Sequence, residues 1–165
     1  EGRNMRMNKE NNVFFWLPCS VVFVSTAHGE QRDIMTATAM FVSEKEPLLA
    51  ISVAKGHLTK KLIELSDKFT LVIAGEGQKQ LAMQVGSAKG DAVDKFDKFS
   101  IKSTPGKSGN ALIPGGAAAW MECTVESSQE IRGYQIFIGR VVEQEDTDNA
   151  PLVWHKDRFF GLKPK

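Results

Sequence analysis

A chain of 165 residues with 42% hydrophobic content can bury one sizeable core but is cramped for two. Its formal net charge is +1, with lysines interspersed among acids in DAVDKFDKF and EQEDTDN, which argues against nucleic-acid binding. Cys19 and Cys123 lie far apart with no clustered histidines, so neither a zinc site nor a disulfide framework is indicated, and a reducing, cytoplasmic setting is the default.

Residues 1 to 12 are polar and are expected to form a flexible N-terminal segment ahead of a single domain over residues 13 to 165. Arg3, Arg6 and Lys9 precede the apolar run VFFWLPCSVVFVSTA in the manner of a signal peptide. Against that, Pro18 divides the run, VVFVST is β-branched like a buried strand, and no stretch is long enough to span a membrane.

From Ser20 onward strand patterns dominate the chain: SVVFVST, IMTATAMFVS, PLLAISV, FTLVIAG, AAAWMECTVESS and GYQIFIGRVVEQE, separated by Gly, Pro, Asp and Asn. Helical patterning occurs only over Thr59 to Leu65 and Gln78 to Val85, so the sheet must close mainly on itself. A mainly β, antiparallel barrel with a few short helices is predicted. Residues 102 to 116, KSTPGKSGNALIPGG, read as a long loop.

Three segments carry possible chemistry. In the strand from Asp33 to Ser43, the small residues Thr36, Ala37, Thr38 and Ala39 stand where a core strand normally places bulky ones. They either let backbone amides approach a flat ligand, with the threonine hydroxyls at its edge, or mark a tight strand crossing. In KGHLTKK, Thr59 reads as a helix N-cap, Leu58 and Ile63 as a hydrophobic staple, and Leu62, Ile63 and Leu65 as an apolar face. Lys60 and Lys61 then fall in the first turn, where the helix dipole disfavours cations by roughly 0.3 to 1 kcal/mol each. They are solvated surface residues, or they await an anion, with Gly56, the Thr59 hydroxyl and free backbone amides completing a phosphate cradle. FTLVIAGEGQKQLAMQVG imitates a dinucleotide fingerprint, but Gln80 replaces the third glycine and Glu76 puts negative charge where a pyrophosphate would lie. His28, His57 and His155 have no nucleophile pattern beside them, so no catalytic triad is legible.

Taken together, the small-residue strand ending in Ser43, Pro47 opening the next strand, Ser52 spaced seven residues before Thr59, and Phe69 in the strand after the helix resemble the flavin reductase-like, FMN-binding split-barrel family. GDAVDKFDKF, IPGGAAAWMEC, IFIGRVVE and PLVWHKDRFF extend the resemblance over most of the chain from Trp16 onward. The resemblance implies an antiparallel Greek-key split barrel, a homodimer with FMN near the subunit interface, and hydride transfer from NADH or NADPH to flavin. It places the flavin ring against Thr36, Ala37, Thr38 and Ala39. The phosphate would lie in the loop of Ser52, Val53, Ala54, Lys55 and Thr59, with Lys60 or Lys61 as counter-charge. Lys95, in DKF, is a further candidate near the flavin, and His155 either borders a nicotinamide site or packs. Two departures stand out: Asp33 where members often carry Asn, and Glu46-Pro47 where they often carry Pro-Pro. A flavoredoxin-type electron carrier serving a redox protein partner and a non-catalytic flavin-binding module need the same cradle and remain alternatives; no membrane partner is implied.

Overall fold

The computed structural model describes residues 13–108 and 111–165; the segment expected to be flexible, residues 1 to 12, lies outside them. A one-turn helix α1 (Val13–Trp16) leads into the short strand β1 (Cys19–Ser20), then β2 (Val22–His28), β3 (Gln31–Ala37), β4 (Ala39–Ser43) and β5 (Leu48–Ala54). Helix α2 (Leu58–Ser66), β6 (Lys68–Ile73), a 3-10 turn (Glu76–Gln78), α3 (Lys79–Ser87) and α4 (Lys95–Lys98) come next. The chain closes with β7 (Ser103–Pro105), β8 (Leu112–Pro114), β9 (Ala119–Ile131), β10 (Tyr134–Asp146), β11 (Leu152–His155) and β12 (Arg158–Gly161).

Seven strands form one antiparallel sheet in the order β3-β2-β6-β9-β10-β5-β4. Its two outermost strands, β3 and β4, are consecutive in the chain with only Thr38 between them. A flat sheet cannot meet that constraint, because seven strands about 4.8 Å apart separate its edges by roughly 29 Å. The sheet therefore curls until its edges come together at Thr38, which makes an open, split barrel. For the same reason the single strand expected over residues 34 to 43 is two strands: the chain leaves one edge at Ala37 and joins the other at Ala39.

Curling is helped by irregular register between β9 and β10, at Ile138/Gly139 and Val141/Glu143. Gly139 is needed there, since a Cβ would lie 2.5 Å from Cζ of Phe69 and 2.9 Å from Cβ of Cys123. Arg132 and Gly133, both at positive φ, make the two-residue turn that joins these strands.

Both faces of the sheet are covered, which is why its strands read as nearly continuous apolar runs. Val24, Met35, Ile51, Val53, Phe69, Leu71 and Phe137 form the inner core, into which α2 inserts Ile63. Phe23, Ile34 and Val72 point the other way, toward Ala82 and Val85 of α3 and Phe96 of α4. Within the expected loop 102 to 116, β7 and β8 form a short hairpin. Among the described residues, no helix is long and apolar enough to cross a membrane.

The helix termini differ from expectation in one respect that matters for the site. Helix α2 begins at Leu58, and its N-cap is His57, without a side-chain capping bond, not Thr59. Thr59 lies inside the first turn and is fully buried, whereas Leu65, expected on the apolar face, is exposed. Gly75 of the dinucleotide-like segment is structural: a Cβ there would lie 2.2 Å from Gly116 O, its N–H donates to Gln78 Oε1 at 2.9 Å, and Gln78 Nε2 donates to Gly115 O at 2.9 Å.

Candidate functional site

Where the barrel edges meet, small side chains leave a gap. The resulting cleft, of about 750 Å³, has Met35, Thr36, Ala37 and Thr38 along one side and Ser52 and Ala54 of β5 along another. Strand alternation sorts the β5 residues: Ser52 and Ala54 face the cleft, and Val53 between them is fully buried in the inner core. Ala39 begins β4 and packs against that inner core rather than lining the cleft. The Thr36 hydroxyl donates to the carbonyl of Ala82 at 2.7 Å, so its proton is committed to α3.

An aromatic wall completes the cleft. Trp154, Phe159, Tyr134 and Phe14 line it, with Phe14 stacked on Trp154 at a centroid separation of 4.6 Å and an interplanar angle of 27°. His155, the next residue on β11, points away from Trp154 and lines a separate depression of about 440 Å³ with Phe15, Lys156, Arg158 and Phe160. The period of two along a strand decides this, and it brings Trp154 rather than His155 to the cleft.

His57 lines the large cleft and also a second, more polar lobe of about 390 Å³. That lobe carries Lys60, Lys61 and Glu64 of α2, with Gly56, Gln31, Gly90 and Asp91 around it. Gly56 has φ +94°, a backbone conformation that makes the turn before α2 a glycine position. Lys60 forms an i,i+4 ion pair with Glu64. Lys55 lies outside both lobes: its N–H donates to Gly133 O at 2.8 Å, and its ammonium pairs with Glu130 at 3.3 Å.

Thr59 and Lys95 turn inward and meet at Asp33. The Thr59 hydroxyl donates to Asp33 Oδ2 at 2.6 Å, and the Lys95 ammonium stands 3.1 Å from Asp33 Oδ1 while donating to Ile34 O at 2.7 Å. Beside this cluster, Asp94 caps α4 by accepting from the N–H groups of Phe96 and Asp97, and it pairs with Arg32 at 2.8 Å. Burial pushes the Asp94 carboxyl up, but the Arg32 hydrogen bond and the backbone donors outweigh it and hold the group below the ordinary carboxylate range. Burial, then the neighbouring Glu122, pushes the Cys123 thiol up to about 12, so it is an inert core residue and no nucleophile.

Residues 16–163 match the flavin reductase like domain. The chain belongs to that family. Among curated relatives, YddH of Escherichia coli K12 is 36% identical over 119 residues, which are 69% of this chain and 62% of that one. The NADH-dependent flavin reductase StyB of Pseudomonas fluorescens is 26% identical over 86% of this chain and 81% of its own. The chain spans less than two thirds of the length of YddH and of several other curated relatives, down to 19%. Among solved structures, the NADH:FAD oxidoreductase SgcE6 of Streptomyces globisporus superposes with a TM-score of 0.86 at 24% identity, covering 99% of this chain and 96% of that one, a likeness of fold.

For this flavin reductase-like chain, the residues that sequence reasoning missed are Phe14, His57, Tyr134, Trp154 and Phe159. Trp154 was adjacent to a residue singled out, and alternation along VWHK was the signal available. Phe159 pairs with Trp154 across the β11–β12 hairpin and His57 sits between Gly56 and Leu58 in KGHLTKK, whereas Phe14 and Tyr134 lie far from these in the sequence and meet them only in the folded chain.

Proposed function

We propose that this chain binds FMN across the two lobes and passes hydride from NADH or NADPH to flavin. The observation that carries the proposal is that an apolar, aromatic-walled slot floored by small residues adjoins, at His57, a polar lobe holding two lysines at a helix start. The slot suits a planar heterocycle, and the lobe suits a phosphate. A bound flavin supplies the hydride-accepting ring; the protein binds, orients and shields it.

In this reading Thr36, Ala37, Thr38, Ser52 and Ala54 bear on the ring and its side chain, while Lys60, Lys61 and the first-turn amides of α2 bear on the phosphate. Val53 and Ala39 shape the backbone beside them, and Thr59 and Lys95 act from behind. Lys55 steers anions at longer range, being already paired with Glu130. Trp154 is the residue of β11 that meets an incoming nicotinamide, and His155 supports it from the other side. Met40 and Phe41, 67% and 71% exposed on edge strand β4, are covered by a second copy of the chain in a homodimer. The unit works from residue 13 onward as one domain, in the cytoplasm, with a redox protein as a further electron acceptor.

Two measurements test the proposal. Titration of the purified protein with FMN should give a saturable change in the flavin spectrum, and added NADH or NADPH should then be oxidised with multiple turnovers. Absence of any FMN-dependent change overturns the binding reading; binding without turnover by either nucleotide overturns the reductase reading alone.

A further inference from the structure

Burying an ion pair strips both charges of water, and the mutual attraction often fails to offset that loss, so a fully buried pair raises the question of what its geometry holds in place. Asp33 and Lys95 are each 2% exposed. Lys95 comes from α4 and reaches the outermost strand of the sheet, β3, where it also takes up the Ile34 carbonyl. The second oxygen of Asp33 accepts the hydroxyl of Thr59 in the first turn of α2. The loop before α4 closes on the same carboxylate: a Cβ at Gly90 would lie 2.3 Å from Asp33 Oδ1, and Gly90 itself lines the polar lobe. One carboxylate thus joins the strand that floors the large lobe, the helix that carries Lys60 and Lys61, and the loop that walls the small lobe.

We propose that Asp33, Thr59 and Lys95 form a positioning lock that fixes the first turn of α2 relative to β3, and so sets the spacing between the ring-binding and phosphate-binding lobes. The proposal rests on the flavin reading of the cleft. None of the three side chains lines either lobe. They act through the backbone they hold: Thr59 holds the turn that bears Lys60 and Lys61, and Lys95 holds the free edge of β3. A ligand that bridges both lobes depends on that spacing, whereas one confined to the large lobe does not.

FMN and riboflavin differ only in the phosphate and therefore separate the two cases. Thr59→Val removes the tie between Asp33 and α2 while keeping the shape of the side chain. It should weaken FMN about tenfold and leave riboflavin within about twofold. Thr59→Ser, which keeps the hydroxyl, should restore FMN binding to near wild type. In an Asp33→Leu/Lys95→Met background, where Thr59 has lost its partner, Thr59→Val should cost FMN nothing further. That double variant also serves if Thr59→Val alone fails to fold, since its own loss should again fall on FMN and spare riboflavin. Thermal unfolding of the unliganded variants gives the control, because a merely structural role would lower the melting temperature and weaken both ligands together. Wild type that binds neither ligand overturns the flavin reading and the lock with it. Wild type that binds both, with variants that lose the two equally or lose neither, overturns the lock and leaves the flavin reading standing.

Discussion

Lys60 and Glu64 face each other one turn apart on α2, so one of the two cations in the polar lobe is already paired before a ligand arrives. An exposed pair of this kind contributes only about 0.3 to 0.5 kcal/mol, and a phosphate competes with it easily. Lys61→Gln should weaken FMN about tenfold with riboflavin within twofold, by loss of one charge-assisted contact. Glu64→Gln should do the reverse, tightening FMN a few-fold by removing a like charge and freeing Lys60. Flavin fluorescence titration with both ligands checks the two signs at once, and a Glu64→Gln variant with weakened FMN would move the phosphate elsewhere.

Trp154 and His155 are neighbours on β11 with opposite outlooks, one toward the cleft and one toward a separate depression. An aromatic contact contributes about 0.5 to 1.5 kcal/mol beyond its buried area. Trp154→Ala should therefore raise the KM for NADH or NADPH by about tenfold, and His155→Ala should change it less than twofold. Steady-state kinetics with varied nicotinamide decide between them; the opposite ranking would return the role to His155.

Gly139 lies under the ring of Phe69, where a Cβ would come within 2.5 Å of Cζ. Gly139→Ala should destabilise the barrel by about 1 to 3 kcal/mol, because the ring is fully enclosed and has no room to retreat. For a chain of this size that corresponds to a fall of roughly 2 to 12 °C in Tm. Combining it with Phe69→Leu should recover part of the loss relative to the sum of the single changes, which calorimetry on the four proteins would show.

Acidification should loosen the contact between β3 and α4. The Asp94 carboxyl is held below its ordinary value in the folded chain, so its contribution is present in full above the unfolded value and is lost as pH falls through the lower folded one. Urea midpoints measured from neutral pH down into the acid range should fall less steeply for Asp94→Asn than for wild type. Asn still caps the helix, so the comparison isolates the charge. Parallel curves for the two proteins would assign acid sensitivity to other carboxylates.

Much of the barrel was legible because strands covered on both faces write long β-branched and aromatic runs into the sequence. PLLAISV and GYQIFIGRVVEQE fall within one residue of β5 and β10 at each end. The interruption at Thr38 was not legible, since Thr36 to Ala39 gives the same residue pattern whether the chain continues straight or changes edges. Small residues did mark the floor of the cleft, because a gap between strands leaves that trace locally. Thr59 and Lys95 were misdirected for a different reason. A hydroxyl or an ammonium in a sequence shows only that a hydrogen-bond donor exists, and the acceptor that draws both inward, Asp33, lies 26 residues from Thr59. Beyond the alternation along VWHK the aromatic wall left no local trace, because Phe14, Tyr134 and Trp154 come from three separate parts of the chain.

The single-residue connection at Thr38 also bears on the order in which the molecule assembles. Its two flanking strands are neighbours in sequence yet sit at opposite ends of the hydrogen-bonded order, so the cleft between them exists only once every intervening strand has paired. Local hairpins such as β9–β10 have short loops to close and can form early, whereas the seam must wait for the most distant pairings. A refolding chain should therefore gain flavin affinity in its slowest phase, after most of the far-ultraviolet dichroism has returned. Stopped-flow quenching of FMN fluorescence, run beside dichroism, would reveal the lag; simultaneous recovery would mean that the edges meet before the sheet is complete.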